Sequence, residues 1–211
     1  MGVEASLPLS FRASGTLFYN AFFNLSDPFG VTGNPYWEDG IAASLLSYRV
    51  RGSAVGLELH IERKLTERLG GFLSTTFSRS TRFSWRKTYA ARSDRTLALQ
   101  GALSWNIGHG FRVGARGMLL SGRPLTPFYD LWGERTTWTR EPPSYRLDAR
   151  AEKRWTLGKR GYISLVLEML NVTLAKDPEG LVCYGAVSAL DCKVYLTGPV
   201  TMPSIGVEGG L

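Results

Sequence analysis

The chain has no run of about 18 apolar residues, so a transmembrane helix is excluded. A membrane crossed by strands is not, because alternating apolar and polar residues average out to a hydropathy that reads as soluble. Histidine and cysteine are scarce, with two of each in 211 residues. Tetrahedral zinc needs about four nitrogen or sulfur ligands close together. No histidine lies near Cys183 and Cys192, so neither a metal nor another cofactor is expected. Two free thiols or one disulfide remain, and the disulfide is favoured in an oxidising compartment. Gly-x-Ser-x-Gly and His-Glu-x-x-His are both missing. His60 lies between Glu58 and Glu62 without a recognisable nucleophile, and His109 sits in a tight turn, so the chain is not expected to be an enzyme. Met1 to Leu9 lacks the basic start and apolar stretch of a secretory signal.

The formal charge of +7 raises nucleic acid as a partner. Binding would require the basic residues to cluster as a patch. Here they recur with strand spacing, as in Arg146, Arg150 and Arg154, and nucleic acid is set aside.

What is present is period two. Val55, Leu57, Leu59 and Ile61 alternate with Gly56, Glu58, His60 and Glu62. Leu97, Leu99, Leu103 and Trp105 alternate with Ala98, Gln100, Ser104 and Asn106. Tyr145, Leu147, Ala149 and Ala151 alternate with Arg146, Asp148, Arg150 and Glu152. A helix would mix these classes on each face, whereas a strand separates them. Nine strands are expected, near 2–8, 11–25, 45–64, 69–83, 94–107, 110–122, 144–157, 160–172 and 200–211. The fold class is therefore all-β, an antiparallel meander of about nine long strands. It would form a transmembrane β-barrel, either partial or small and closed.

The connections alternate strictly between short and long. Leu9-Ser10, Leu65 to Arg68, Gly108-His109 and Gly158-Lys159 are short; 26–44, 84–93, 123–143 and 173–199 are long. Antiparallel strands put alternate connections at opposite ends, so one end carries tight turns and the other long loops. Outer-membrane barrels have this layout, with short periplasmic turns and long extracellular loops. The loop holding Cys183 and Cys192 then lies outside the cell. Segments of 12 to 15 residues exceed the globular norm of about 5–6. Aromatics near strand ends (Tyr19, Phe83, Trp85, Trp105, Phe111, Tyr145, Trp155, Tyr162) suit a membrane–water interface. They also suit strands in general.

Several stretches resemble the C-terminal barrel of TonB-dependent receptors. Gly52-x-x-x-Gly56-x-Glu58 opens a strand after a long loop as in that family. Asp94 to Trp105, Phe111 to Ser121 and then Ser121-Gly122-Arg123-Pro124-Leu125-Thr126-Pro127 resemble its "sGrPyTP" hairpin. Ser144-Tyr145-Arg146-Leu147-Asp148-Ala149-Arg150 resembles its "Y-x-R-L-D-x-R" strand, and Leu165 to Asn171-Val172-Thr173 resembles the strand that follows. Pro203-Ser204-Ile205-Gly206-Val207 resembles its closing strand. The resemblance implies part of a barrel of about 22 strands around an N-terminal plug domain. Such receptors import siderophores, vitamins or other scarce solutes through the bacterial outer membrane, driven by a periplasmic energy-coupling protein.

Residues 1–211 are expected to form a single barrel segment without plug, coupling box or signal peptide, ending in Leu211 where the family usually has an aromatic. The expected partners are membrane lipid, the missing plug and remaining barrel strands, and the coupling protein of a full receptor. Two alternatives stand beside this reading: a small self-closing pore or structural barrel, and a soluble lipocalin-like ligand-binding barrel. Leu57, Leu59, Leu97, Leu99, Leu147 and Leu165 are the candidates for facing lipid. Arg146, Asp148, Arg150 and Glu152 are candidates for a polar barrel wall, with Arg112 and Arg116 expected two strands away. That wall is read as charges pairing across strands, in preference to a path for anionic solutes. Asn24-Leu25-Ser26 and Asn171-Val172-Thr173 match glycosylation sequons but fall at strand ends, and neither is assigned a role. Tyr36, Trp37, Trp132 and Trp138 in the long loops could touch a ligand or pack the loops together.

Overall fold

A computed structural model describes residues 1–26, 49–64, 68–84, 87–124, 140–158, 161–184 and 191–210. Its strands are β1 (Gly2–Leu7), β2 (Phe11–Ser26), β3 (Arg49–Arg63), β4 (Leu69–Ser84), β5 (Lys87–Ala90), β6 (Leu97–Gly108), β7 (Phe111–Leu120), β8 (Ser144–Leu157), β9 (Gly161–Leu170), β10 (Asp177–Tyr184), β11 (Asp191–Thr197) and β12 (Met202–Gly210). Nine of them form one antiparallel meander in the order β1-β2-β3-β4-β6-β7-β8-β9-β12. The sheet is open among the described residues. Eight antiparallel pairings separate its two edges, so β1 and β12 run in the same direction.

The nine strands expected from alternation correspond to these nine. The sequence reading missed three short strands inside long connections. β5 pairs with the end of β4, and β10 and β11 form a separate hairpin between β9 and β12. Their residues are short or interrupted by Pro178 and Gly180, which hides alternation.

Register lines up the alternating sets across the whole sheet. Leu17, Leu57, Phe77 and Leu97 form one row. Ile61, Leu73, Gly101, Gly117 and Leu147 form another. One face is therefore predominantly apolar from β1 to β12, and the opposite face carries all the carboxylates of these nine strands and most of the polar residues. The apolar face is the open one, and Ile205 on the edge strand is 73% exposed. Among the described residues only Val50, Ala91, Val166 and Ala175 are buried apolar side chains. The polar side encloses Asp148, Glu152 and Ser164. This inverts the usual arrangement, in which the packed face is apolar.

The turns explain where the strands stop. Gly108, His109 and Gly110 all have positive φ, and the Asn106 side chain accepts the Gly108 N–H at 3.0 Å. A Cβ on Gly110 would lie 2.2 Å from the Arg154 carbonyl, so β7 can begin against β8 only with glycine there. At the other end, Gly122 packs directly on Glu141, and a Cβ would come within 1.6 Å of the Glu141 carbonyl oxygen. Gly122→Ala should cost about 1–3 kcal/mol of stability. Unfolding by guanidinium in detergent micelles, followed by tryptophan fluorescence, would measure it; an unchanged midpoint would contradict the close approach.

Candidate functional site

The polar wall is built by β7, β8, β9 and β12. Arg112 and Arg116 are not two strands from the β8 ladder. They lie on the adjacent strand, with Arg112 directly opposite Glu152 and Arg116 opposite Asp148. A long connection between β7 and β8 separates them in sequence but not in the sheet, because a meander pairs consecutive strands. Even-numbered residues of β7, β8 and β9 all point to this side, so Arg112, Arg116, Arg146, Asp148, Arg150 and Glu152 share one face.

The charges pair almost completely. Arg116 donates from Nε and Nη2 to Asp148 Oδ2 at 3.1 and 2.7 Å. The Arg146 Nε lies 3.3 Å from Asp148 Oδ1, which also accepts the Asn171 backbone N–H at 2.9 Å. Arg150 donates to Glu168 at 2.6 Å and to Glu208 on β12 at 3.2 Å. Glu152 accepts from Arg154 at 3.0 Å and from the fully enclosed Ser164 hydroxyl at 3.1 Å. A carboxylate enclosed this way is held by charge-assisted bonds, and losing one partner strands the other. Arg112 differs: its Nε is buried without a hydrogen-bond partner among the described residues. A cavity of about 400 Å³ opens on the wall, lined by Ser104, Arg112, Arg116, Asp148, Arg150 and Glu168.

Two polar clusters were not legible in the sequence. Asp94, 1% exposed, accepts the Ser80 N–H and pairs with Arg140, with Arg79 Nη1 at 3.4 Å. Arg140 also donates to the Gly122 carbonyl at 2.9 Å, and Arg95 to the Ser121 carbonyl at 2.7 Å. Arg123 grips Glu141 through two bonds of 2.8 and 3.0 Å. That hydrogen bond raises the Arg123 pKa further, against the opposing effect of desolvation. The cluster locks the long-connection ends of β4, β6, β7 and β8 together. In the second cluster, Asn171, left-handed at φ 54, spends its side chain on the Ala175 N–H and the Ala175 and Val200 carbonyls. Its buried, fully used amide is no glycosylation acceptor.

Of the lipid-facing candidates, Leu59 and Leu147 are exposed, whereas Leu57, Leu97, Leu99 and Leu165 are partly covered by neighbours; all six lie on the apolar face. The imidazole of His60 stacks on Phe72 with centroids 5.9 Å apart and lies 3.7 Å from a Glu62 oxygen. Among the described residues no hydroxyl is hydrogen-bonded to it. Tyr36, Trp37, Trp85, Trp132 and Trp138 lie outside the described residues. Cys183 and Cys192 face each other in the β10–β11 register, while their side chains lie outside the described part. Compared with protein-family models, with curated proteins and with solved structures, the chain matches none.

Two outcomes follow from this geometry. Asp148→Ala should lose about 1–3 kcal/mol of stability, by removing the charge-assisted bonds from Arg116 and leaving the buried Asn171 N–H without its acceptor. Leu147→Ala, one residue away on the open face, should cost far less; equal losses in micelle unfolding would contradict the assignment of faces. Directly opposite residues in an antiparallel pair have Cα atoms about 4.5–5.5 Å apart, inside the span of a disulfide. Cys183 and Cys192 should therefore be oxidised in protein prepared without reductant, and two titratable thiols per chain would refute the bridge.

Proposed function

We propose that this chain is the C-terminal barrel part of a TonB-dependent receptor of the bacterial outer membrane, a transporter for scarce solutes of siderophore or vitamin type. The observation that carries the reading is the inverted sheet: a continuous apolar face left open across nine strands, backed by an enclosed ion-paired face. Hydrocarbon tolerates the first and a wetted interior suits the second. The strict alternation of short and long connections agrees with turns at one membrane surface and loops at the other. The sequence resemblance supplies the family.

The parallel direction of β1 and β12 favours a part of a larger barrel over a small self-closing one. Joining them directly would create a parallel pair, whereas an even-stranded antiparallel barrel needs an odd number of further strands between them. In this reading the further strands, the plug and the periplasmic coupling protein complete the transporter, and the polar wall faces the interior. The chain alone then inserts without transporting. Saturable, energy-coupled uptake of a siderophore or vitamin into liposomes holding only this chain would overturn that statement.

Adjacent residues on β6 test the membrane reading. Leu99→Arg should weaken insertion into phosphatidylcholine vesicles by about 2–4 kcal/mol if it sits near the bilayer centre. Gln100→Arg, on the opposite face, should be tolerated. Flotation with vesicles and protection from protease would read both, and the reverse order of effects would sink the proposal.

A further inference from the structure

Every Asp and Glu in the nine strands of the sheet (Glu4, Glu58, Glu62, Asp148, Glu152, Glu168 and Glu208) falls on the polar face. Among the described strand residues, the apolar face carries cations but no carboxylate. On it, Lys153 is anchored to the His109 carbonyl at 2.6 Å and lies 3.9 Å over the Phe111 ring, and Arg79 is paired with Asp94. Arg63 is different. It is the last residue of β3, at a short connection, with its guanidinium 5.4 Å over the Phe11 ring. Its Nε is buried and has no hydrogen-bond partner among the described residues.

Arg63 stands at one end of a groove of about 350 Å³ on the apolar face, within the size range of a small-ligand site. Leu69, Leu73 and Leu103 line it beside Phe11, and Gly71, Gly101 and Gly117 leave room in its floor. The groove thus offers a hydrocarbon slot closed by one cation that has no counter-ion among the described residues. A guanidinium matches a phosphate through paired donors. The slot beyond it has nothing to offer a free ion but suits an acyl chain.

We propose that this groove seats one anionic phospholipid, with its phosphodiester against Arg63 and an acyl chain over the glycine floor. The inference rests on the membrane reading above, and it adds that the short-connection end of the sheet selects lipid by charge. Residue Gly117 gives a way to fill the slot without breaking the fold, since a Cβ there meets Leu147 Cδ1 at 3.6 Å and the Arg146 carbonyl at 3.8 Å, both ordinary contacts.

The test uses the full chain inserted in phosphatidylcholine vesicles with and without phosphatidylglycerol. Lipid retained per chain after mild detergent extraction is counted by native mass spectrometry. Retention of phosphatidylglycerol over phosphatidylcholine should be about tenfold, the scale of one charge-assisted hydrogen-bonded contact. Arg63→Gln should abolish that preference, and Gly117→Leu should lower retention of both lipids. Arg51→Gln, which removes a cation from the other end of the same strand and face, should leave the preference intact. Equal preference in wild type and Arg63→Gln overturns the site. A chain that inserts but shows no preference overturns this proposal alone, while a chain that fails to insert overturns the membrane reading and the lipid site with it.

Discussion

Backbone pairing along nine strands carries this sheet, because among the described residues there is almost no apolar core to share the task. Each interior strand is held on both sides by a ladder, and the described residues bury only four apolar side chains. In water such a sheet would leave its largest apolar surface unsatisfied, at about 25 cal/mol per Å². The backbone ladder is indifferent to solvent polarity on the apolar side, and in hydrocarbon it becomes obligatory, since no water is there to replace a lost bond. The same ladder fixes register, and register decides which side chains meet.

Polar contacts then do what a core does elsewhere. On the enclosed face, Arg116–Asp148, Arg150–Glu168–Glu208 and Arg154–Glu152–Ser164 stitch four neighbouring strands through their side chains. At the long-connection end, Asp94 draws Arg79 and Arg140 together across β4 and the segment leading into β8. Asn171 does the same for the connection that leaves β9. These groups give the sheet specificity at positions where apolar packing gives little, since a one-residue slip of β8 would send Asp148 and Glu152 to the open side.

Alternation, turn glycines and the rhythm of connection lengths made the nine long strands legible, because each is a local property read with period two. The faces were legible for the same reason: once Leu147 and Asp148 are in one strand, they must point apart. Pairing partners were not. Arg116 and Asp148 are 32 residues apart, and Asp94 and Arg140 are 46 apart. Nothing in either neighbourhood announces the other. The β10–β11 hairpin escaped notice because short strands carry too few alternations to stand out from a loop.

The sequence by itself determined the nine long strands, their antiparallel order and the division into an apolar and a charged face, since side-chain direction in a strand follows from residue parity alone. Only the tertiary structure decided that Arg112 lies opposite Glu152 and Arg116 opposite Asp148, that Asp94 is buried among arginines, and that Arg63 ends its strand beside an apolar groove with no carboxylate among the described residues to meet it. Those facts depend on register between strands far apart in the chain. Register is set by the sum of many cross-strand contacts, not by any single local pattern.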